Sequence, residues 1–448
     1  MVFRLFLLSF FFIKFLFFLT GCTPNAEKGQ KEPVKKYTGP RWDSTNFTVW
    51  WHDFDSQDQA KKSADRLIQS GAKSVTLVVT EYIDNPRAAN IGPTKQTADY
   101  EQLRGLIQHF HKSGVRVNLK PHVDAKDSSF RGDFEPEWSE FFKNYRNFIA
   151  KYARLAAEEK VDLFTIGTEL SSSHSQKDEW EKTINKIEET YKGPLTYAAD
   201  WKAYKTFPHW DKLDFLGIDS YFPLSKNENP GLIELYEGWQ PHIKEIEKWQ
   251  AKWKKPFIFT EIGFRDSKNA AKEPWEWGKD YQQDKQLQKR LYDATYLAFQ
   301  DKPYLAGSSY WNWEANPKDP GQGQGFDVRG KPAEKTLMAQ FQNKAKKESG
   351  ELGGLLESYH QEKSRSKKKE LAGKIQAAYK RYNDSLSQIK LLPKVKSSSQ
   401  GSERKELYKR WLKAQERYKL LIKAGKKSSA QKALMDAKAL EAKLKALR

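Results

Sequence analysis

The 448-residue sequence holds one cysteine, so no intramolecular disulfide is available and any domain is held by packing alone. It has little uninterrupted apolar sequence: the run at 5–19 spans 15 positions and carries Lys14, whereas a spanning helix needs roughly 20. No glycine-rich phosphate fingerprint follows the first β-branched run, which argues against a nucleotide-binding fold. No G-x-S-x-G elbow is present, which argues against a Ser/His/Asp hydrolase. Acidic residues are scarce in one region only. Residues 344–448 hold 29 basic and 11 acidic side chains, leaving 49 and 47 for residues 1–343, so all but two units of the formal charge of +20 belong to a tail.

What is abundant is aromatic: 15 Trp, 20 Tyr and 26 Phe, enough for a large core and incompatible with global disorder. Near the N-terminus, Leu19-Thr20-Gly21-Cys22 closes the apolar run that follows Arg4. The string resembles a bacterial lipobox. That resemblance implies a signal peptide over 1–21, lipidation of Cys22, and export to the cell envelope on a lipid anchor. Residues 22–40 then read as lipidated cysteine and tether, rich in Lys, Glu, Pro and Gly without apolar periodicity.

From Phe47 onward, short β-branched or aromatic runs alternate eight times with amphipathic stretches. The strands are expected at 47–52, 74–80, 116–121, 162–167, 195–199, 215–220, 256–260 and 305–310. Helices are expected at 57–70, 99–113, 138–159, 177–191, 241–253 and 280–300, with Gly71 and Gly114 placed as C-caps. Continuously apolar strands bounded by helices are buried on both faces and belong to a parallel sheet. Eight such units predict an α/β fold, a closed (β/α)8 TIM barrel over 41–342, followed by a basic α-helical extension over 343–448.

A barrel of this kind presents its chemistry at the carboxyl ends of its strands. Glu169 ends the fourth run and Glu261 the seventh, each beside apolar sequence that would desolvate a carboxyl and raise its pKa. Two carboxyl groups facing one another at a barrel mouth can divide the roles of acid and nucleophile in glycoside cleavage. Trp51, Trp201, Trp311 and Trp313 end or follow strands, and indole rings suit the apolar faces of sugars. Lys120 and His122 after the third strand, His52 after the first and Asp219 after the sixth supply polar groups at the same rim. Their spacing is not that of a metal site, and glycoside hydrolysis needs neither metal nor cofactor, so none is expected.

Carboxylates on the fourth and seventh strands resemble the clan of retaining (β/α)8 glycoside hydrolases. The strings WWHDF, KPHV, IGTEL, GIDSYFP, FTEIGF and SSYWNWE are most similar to glycoside hydrolase family 113, whose described activity is endo-β-1,4-mannanase. The resemblance covers about 47–341 and stops short of the tail. It implies Glu169 as acid/base, Glu261 as nucleophile, Tyr221 as the phenol that orients the nucleophile, and Trp311 as the aromatic platform at the cleavage point. The clan places Asn before the acid/base where this chain has Thr168, whose hydroxyl offers a single donor toward a sugar 2-OH.

The expected partner is therefore a β-linked polysaccharide, mannan first and peptidoglycan or another β-glycan as alternatives. A binding barrel without turnover, and an envelope lipoprotein acting through its tail, are the competing readings. The tail shows apolar residues at helical spacing, including Leu407, Trp411, Ala414, Tyr418 and Leu421, and is read as a helical hairpin over 355–389 and 403–448. In an exported protein its lysines face anionic lipid head groups or acidic envelope polymers rather than nucleic acid, and a tail of this charge would reinforce a lipid anchor.

Overall fold

Strand β3 (Arg116–Ala125) shows how the sequence builds the architecture. Val117, Leu119 and Val123 join the apolar layer beneath the helices, while on the alternate face Asn118 bonds to the neighbouring strands and Lys120 to β7 across the barrel axis. The same two-residue period recurs in seven further strands: β1 (Ser44–Thr48), β2 (Ser74–Ile83), β4 (Leu163–Thr168), β5 (Leu195–Asp200), β6 (Leu216–Ser220), β7 (Phe257–Ile262) and β8 (Leu305–Glu314). All pair in parallel with their sequence neighbours, and β8 pairs with β1 to close the barrel. The computed structural model describes residues 36–50, 56–277, 282–315, 325–392 and, with gaps, 407–446. The expected lipidation site Cys22 and the expected rim residues Trp51 and His52 lie outside them.

The helices are α1 (Ser56–Gln69), α2 (Tyr100–Lys112), α3 (Trp138–Glu158), α4 (Lys177–Thr190), α5 (Leu232–Trp253), α6 (Lys285–Phe299) and α7 (Pro332–Phe341). Asp99 and Gln102 form a capping box at the start of α2, and Gly71 and Gly114 take the left-handed conformation just past α1 and α2. Helix α5 begins nine residues before Pro241, where the sequence reading starts it. Leu235, Tyr236, Trp239, Ile243 and Ile246 bury a continuous stripe that carries the helix through the proline, whose interior cost is ~3 kcal/mol. Strand β1 lies earlier than the expected 47–52. Its polar residues Ser44, Thr45 and Asn46 are buried, and Asn46 donates to the carbonyls of Ser309 on the adjacent β8 and Thr260 on β7.

The barrel interior is layered. Trp42, Leu163, Phe215, Ile258 and Ala306 plug the amino-terminal end. Above them Asn46, Thr76, Asn118, Thr165 and Ser309 hydrogen-bond to one another. The next level is charged and opens on the carboxyl end, where Val78, Tyr221, Trp311 and Phe326 pack together.

The change of composition at 343 is not a break in structure. Helices α8 (Lys346–Gln361) and α9 (Arg365–Ser387) form an antiparallel hairpin against α5, α6 and α7, with Leu352, Leu356, Ile375, Ala378, Tyr382 and Leu386 in the main core. Further along, α10 (Lys427–Ala446) buries Ala430, Ala433 and Ala437.

Candidate active site

Three strands converge on one network of buried charge. The ammonium of Lys120 on β3, wholly buried, donates to Oε1 of Glu261 on β7 at 2.5 Å and to both oxygens of Asp219 on β6 at 3.2 Å. Tyr221, just past β6, donates its hydroxyl to Oε2 of Glu261 at 2.7 Å, so both oxygens of Glu261 are acceptors and the group is held in one orientation. Thr260 donates to Oδ1 of Asp219 at 2.7 Å. Burial, and next the charge of Glu261, push the carboxyl of Asp219 up to about 7 against the opposing pull of Lys120.

Glu169 stands just beyond β4 with φ at +51°, a left-handed conformation that costs on the order of 1–3 kcal/mol for a residue with a β-carbon. The strained turn is pinned because its N–H donates to the Ala198 carbonyl and its own carbonyl accepts from Ser171, each at 2.8 Å. The carboxyl is buried and accepts from Nη1 of Arg131 at 2.9 Å. Arg131 sits in a 3-10 turn after β3 and is held by Nε and Nη2 donors to Asp124. Desolvation drives the Glu169 carboxyl well above its ordinary range. Asp219, Glu261 and Asp200 add to the rise and Arg131 opposes it.

His122 on β3 is buried with its ring parallel to Trp311 at 6.1 Å between centroids, and Nε2 lies 3.8 Å from Glu261 Oε1. Burial, with Arg131 and Lys120 close by, holds its pKa well below the usual imidazole value, so the ring is neutral at neutral pH. Neither ring nitrogen has a hydrogen-bond partner in the protein, and the same holds for Thr168 Oγ1 and Trp311 Nε1. Buried polar atoms without protein partners, gathered at one mouth, are what a polyhydroxylated ligand would satisfy.

Glu169, Glu261, Tyr221, Trp201 and Trp311 all line a single cleft of about 1340 Å³ at the carboxyl end of the barrel. Thr168 and His122 are buried and do not line it. Three expected substrate contacts are corrected. Asp219 is wholly buried, its oxygens accepting from Lys120 and Thr260. Lys120 is not at the rim: its three donors are consumed by Glu261 and Asp219 below the cleft floor. Trp313 is wholly buried on the helix side of β8, where its indole donates to Ser63 of α1 and lies against the Arg329 guanidinium, so it belongs to the core. Arg131, Asp124, Asp200, Trp275 and Trp277 were not singled out from the sequence although all line the cleft. The first two fall in a loop whose path no periodicity encodes, while Asp200 ends a strand and was open to the same reasoning that found Glu169. Among the described residues no cluster of His, Cys, Asp and Glu is arranged to hold a metal ion.

The sequence profile of Glycoside Hydrolase Family 113 matches residues 48–331. Two similar solved structures are a GH113 β-1,4-mannanase in a complex, and the GH113 β-mannanase AaManA from Alicyclobacillus acidocaldarius in complex with ManMIm. The first is 23% identical with a TM-score of 0.61, covering 66% of this chain and 98% of its own. The second is 22% identical with a TM-score of 0.62, covering 68% and 98%. No curated protein matches the chain. The family match spans more than half of the chain and contains both glutamates, and on that ground the chain belongs to glycoside hydrolase family 113.

Proposed function

We propose that this glycoside hydrolase cleaves β-1,4-mannan with retention of anomeric configuration, through a covalent glycosyl-enzyme on Glu261. The observation that carries the reading is the unequal treatment of two carboxyl groups in one cleft. Glu261 is held as an acceptor by Lys120 and Tyr221, while burial favours the protonated form of Glu169.

In the first step an oxygen of Glu261 attacks the anomeric carbon while Glu169 gives its proton to the departing glycosidic oxygen. The carbon–oxygen bond of the linkage breaks and an ester to Glu261 forms. In the second, the Glu169 carboxylate takes a proton from water, the water oxygen bonds to the anomeric carbon, and Glu261 leaves with its electron pair. Arg131 has a role in both steps. It positions Glu169 and restrains the rise of its pKa, so that the proton can be released as well as held. Trp311 offers an indole face to the sugar at the cleavage point.

The likeness to the two mannanase structures supports mannan over other β-glycans. The test is hydrolysis of a panel of β-linked polysaccharides, including mannan, glucan, xylan and peptidoglycan, with Glu261→Gln alongside. Reducing ends released from mannan first, and lost by at least about 10³-fold in the variant, are expected for a nucleophile. Release from another member would reassign the substrate. Release that survives Glu261→Gln would remove the mechanism.

A further inference from the structure

The cleft is larger than one sugar requires. Its 1340 Å³ exceeds the ~300–1,000 Å³ usual for a small-molecule site, and tryptophans stand on two flanks of it. Trp311, on β8, lies on the flank of Glu261, since β8 pairs with β7. On the other flank, Trp201 follows β5 next to Glu169, and its ring stacks with that of Trp275 at 5.4 Å and 24°. Trp275 comes from the long segment between β7 and α6, so the chain crosses the cleft wall to bring the two indoles together.

This pair is built rather than incidental. Phe222 packs edge-on against Trp201 at 5.5 Å, fixing it from the side. The segment carrying Trp275 is pinched at its base by an antiparallel bridge between Ser267 and Gln283. Its Ala271 carbonyl accepts from the N–H groups of Leu224 at 2.8 Å and Ser225 at 3.2 Å. At the same base the Asp266 carboxylate accepts from Gln283 Nε2 at 2.6 Å, the Gly325 N–H at 2.8 Å and Lys331 Nζ at 3.0 Å. A segment tied at base and middle presents its side chains with little ordering left to pay on binding. Yet Trp275 remains 38% exposed, a high value for an indole clamped in this way. The Lys202 ammonium lies 5.1 Å from the Trp201 ring and 5.5 Å from the Trp275 ring, placing an N–H donor beside the aromatic surface. An exposed, preorganised indole with a neighbouring donor matches a pyranose, which offers an apolar C–H face and equatorial hydroxyls.

We infer that Trp201 and Trp275, with Lys202 beside them, form a subsite for a sugar ring of the substrate chain away from the cleavage point. The inference rests on the proposed glycan hydrolysis. It makes the enzyme prefer longer chains, because a chain that reaches both Trp311 and Trp275 gains binding that a short one cannot.

The experiment compares kcat/KM on the β-1,4-linked manno-trimer and hexamer for the wild type, Trp275→Ala and Trp275→Tyr. The hexamer-to-trimer ratio is expected to fall about tenfold in Trp275→Ala, with most of the loss recovered in Trp275→Tyr, which keeps a flat ring. An unchanged ratio, or equal loss on both substrates, would overturn the subsite while leaving the hydrolase intact. Should the wild type cleave neither oligomer, the failure lies with the proposed substrate. The subsite is then judged by titrating glycan hexamers of the polysaccharide panel into Glu261→Gln with and without Trp275→Ala: an affinity indifferent to Trp275, or no binding at all, would overturn it.

Discussion

In the proposed mechanism, Arg131 is the residue on which the acid/base cycle turns. Its guanidinium is bound on one side by Asp124 and on the other by Glu169, and its charge is what opposes the upward pull of burial on the Glu169 carboxyl. The sign of its removal follows. Without the cation the Glu169 carboxyl moves still higher, and because Glu169 must be protonated to serve as acid, activity persists to higher pH before it is lost. Arg131→Met is therefore expected to move the alkaline limb of the kcat/KM profile upward by about one pH unit or more and to lower kcat, since the deprotonated form needed in the second step becomes harder to reach. A limb that stays in place or moves down would show that another group sets it. Lys120 acts at the same scale without touching substrate: an unpaired Asp219–Glu261 couple in its absence would leave buried negative charge uncompensated.

The same residues show what the sequence could disclose. Glu169, Tyr221, Glu261 and Trp311 were legible because a position at the end of a barrel strand dictates a radial place at the mouth. Depth along the axis was not legible. Lys120 and Trp311 both fall at the ends of their expected runs, 116–121 and 305–310, yet β3 continues to Ala125 and leaves Lys120 beneath the floor, whereas Trp311 lines the cleft. Trp313, two residues past Trp311, faces the helices. Arg131 and Trp275 stood in loops, where neither the 3.6- nor the two-residue period applies.

Among the elements, the α8–α9 hairpin departs most from what composition suggests. Charge counts mark a new region after 343, but charge reports only the solvated face. The buried face of α9 repeats as Ile375, Ala378, Tyr382 and Leu386, a spacing that does signal packing. Tyr379 donates to the buried Asp293 of α6 at 2.7 Å, and Thr336 of α7 donates to the same carboxylate at 2.7 Å, tying the hairpin to two barrel helices through one acceptor. Each large side chain withdrawn from water there contributes about 1.5–3 kcal/mol, a serious fraction of a total stability of roughly 5–15 kcal/mol. A chain ending at 343 is thus expected to melt roughly 10 °C or more below the full-length protein, or to be insoluble. A chain ending at 392, which keeps the hairpin, should melt within about 2 °C of it. Equal melting of the two truncations would show that the hairpin merely leans on the barrel. The eight strands, by contrast, were legible to within a few residues, because apolar runs buried on both faces have few other uses. The exception is β1, whose polar residues serve the interior layer.

At the scale of the whole molecule, a closed barrel with a sealed amino-terminal end confines the open chemistry to one face, and the strand ends deliver two carboxyl groups of opposite assignment to one cleft. The central claim is that Glu261 becomes covalently bound to the sugar. The measurement that tests it most directly is mass spectrometry of the protein after incubation with a 2-deoxy-2-fluoro β-mannobiosyl fluoride, a reagent that forms the glycosyl-enzyme and hydrolyses it slowly. The account predicts one adduct per chain, on the peptide that contains Glu261, and none in Glu261→Gln. Labelling of a different residue, or an unlabelled enzyme that still cleaves mannan, would contradict it.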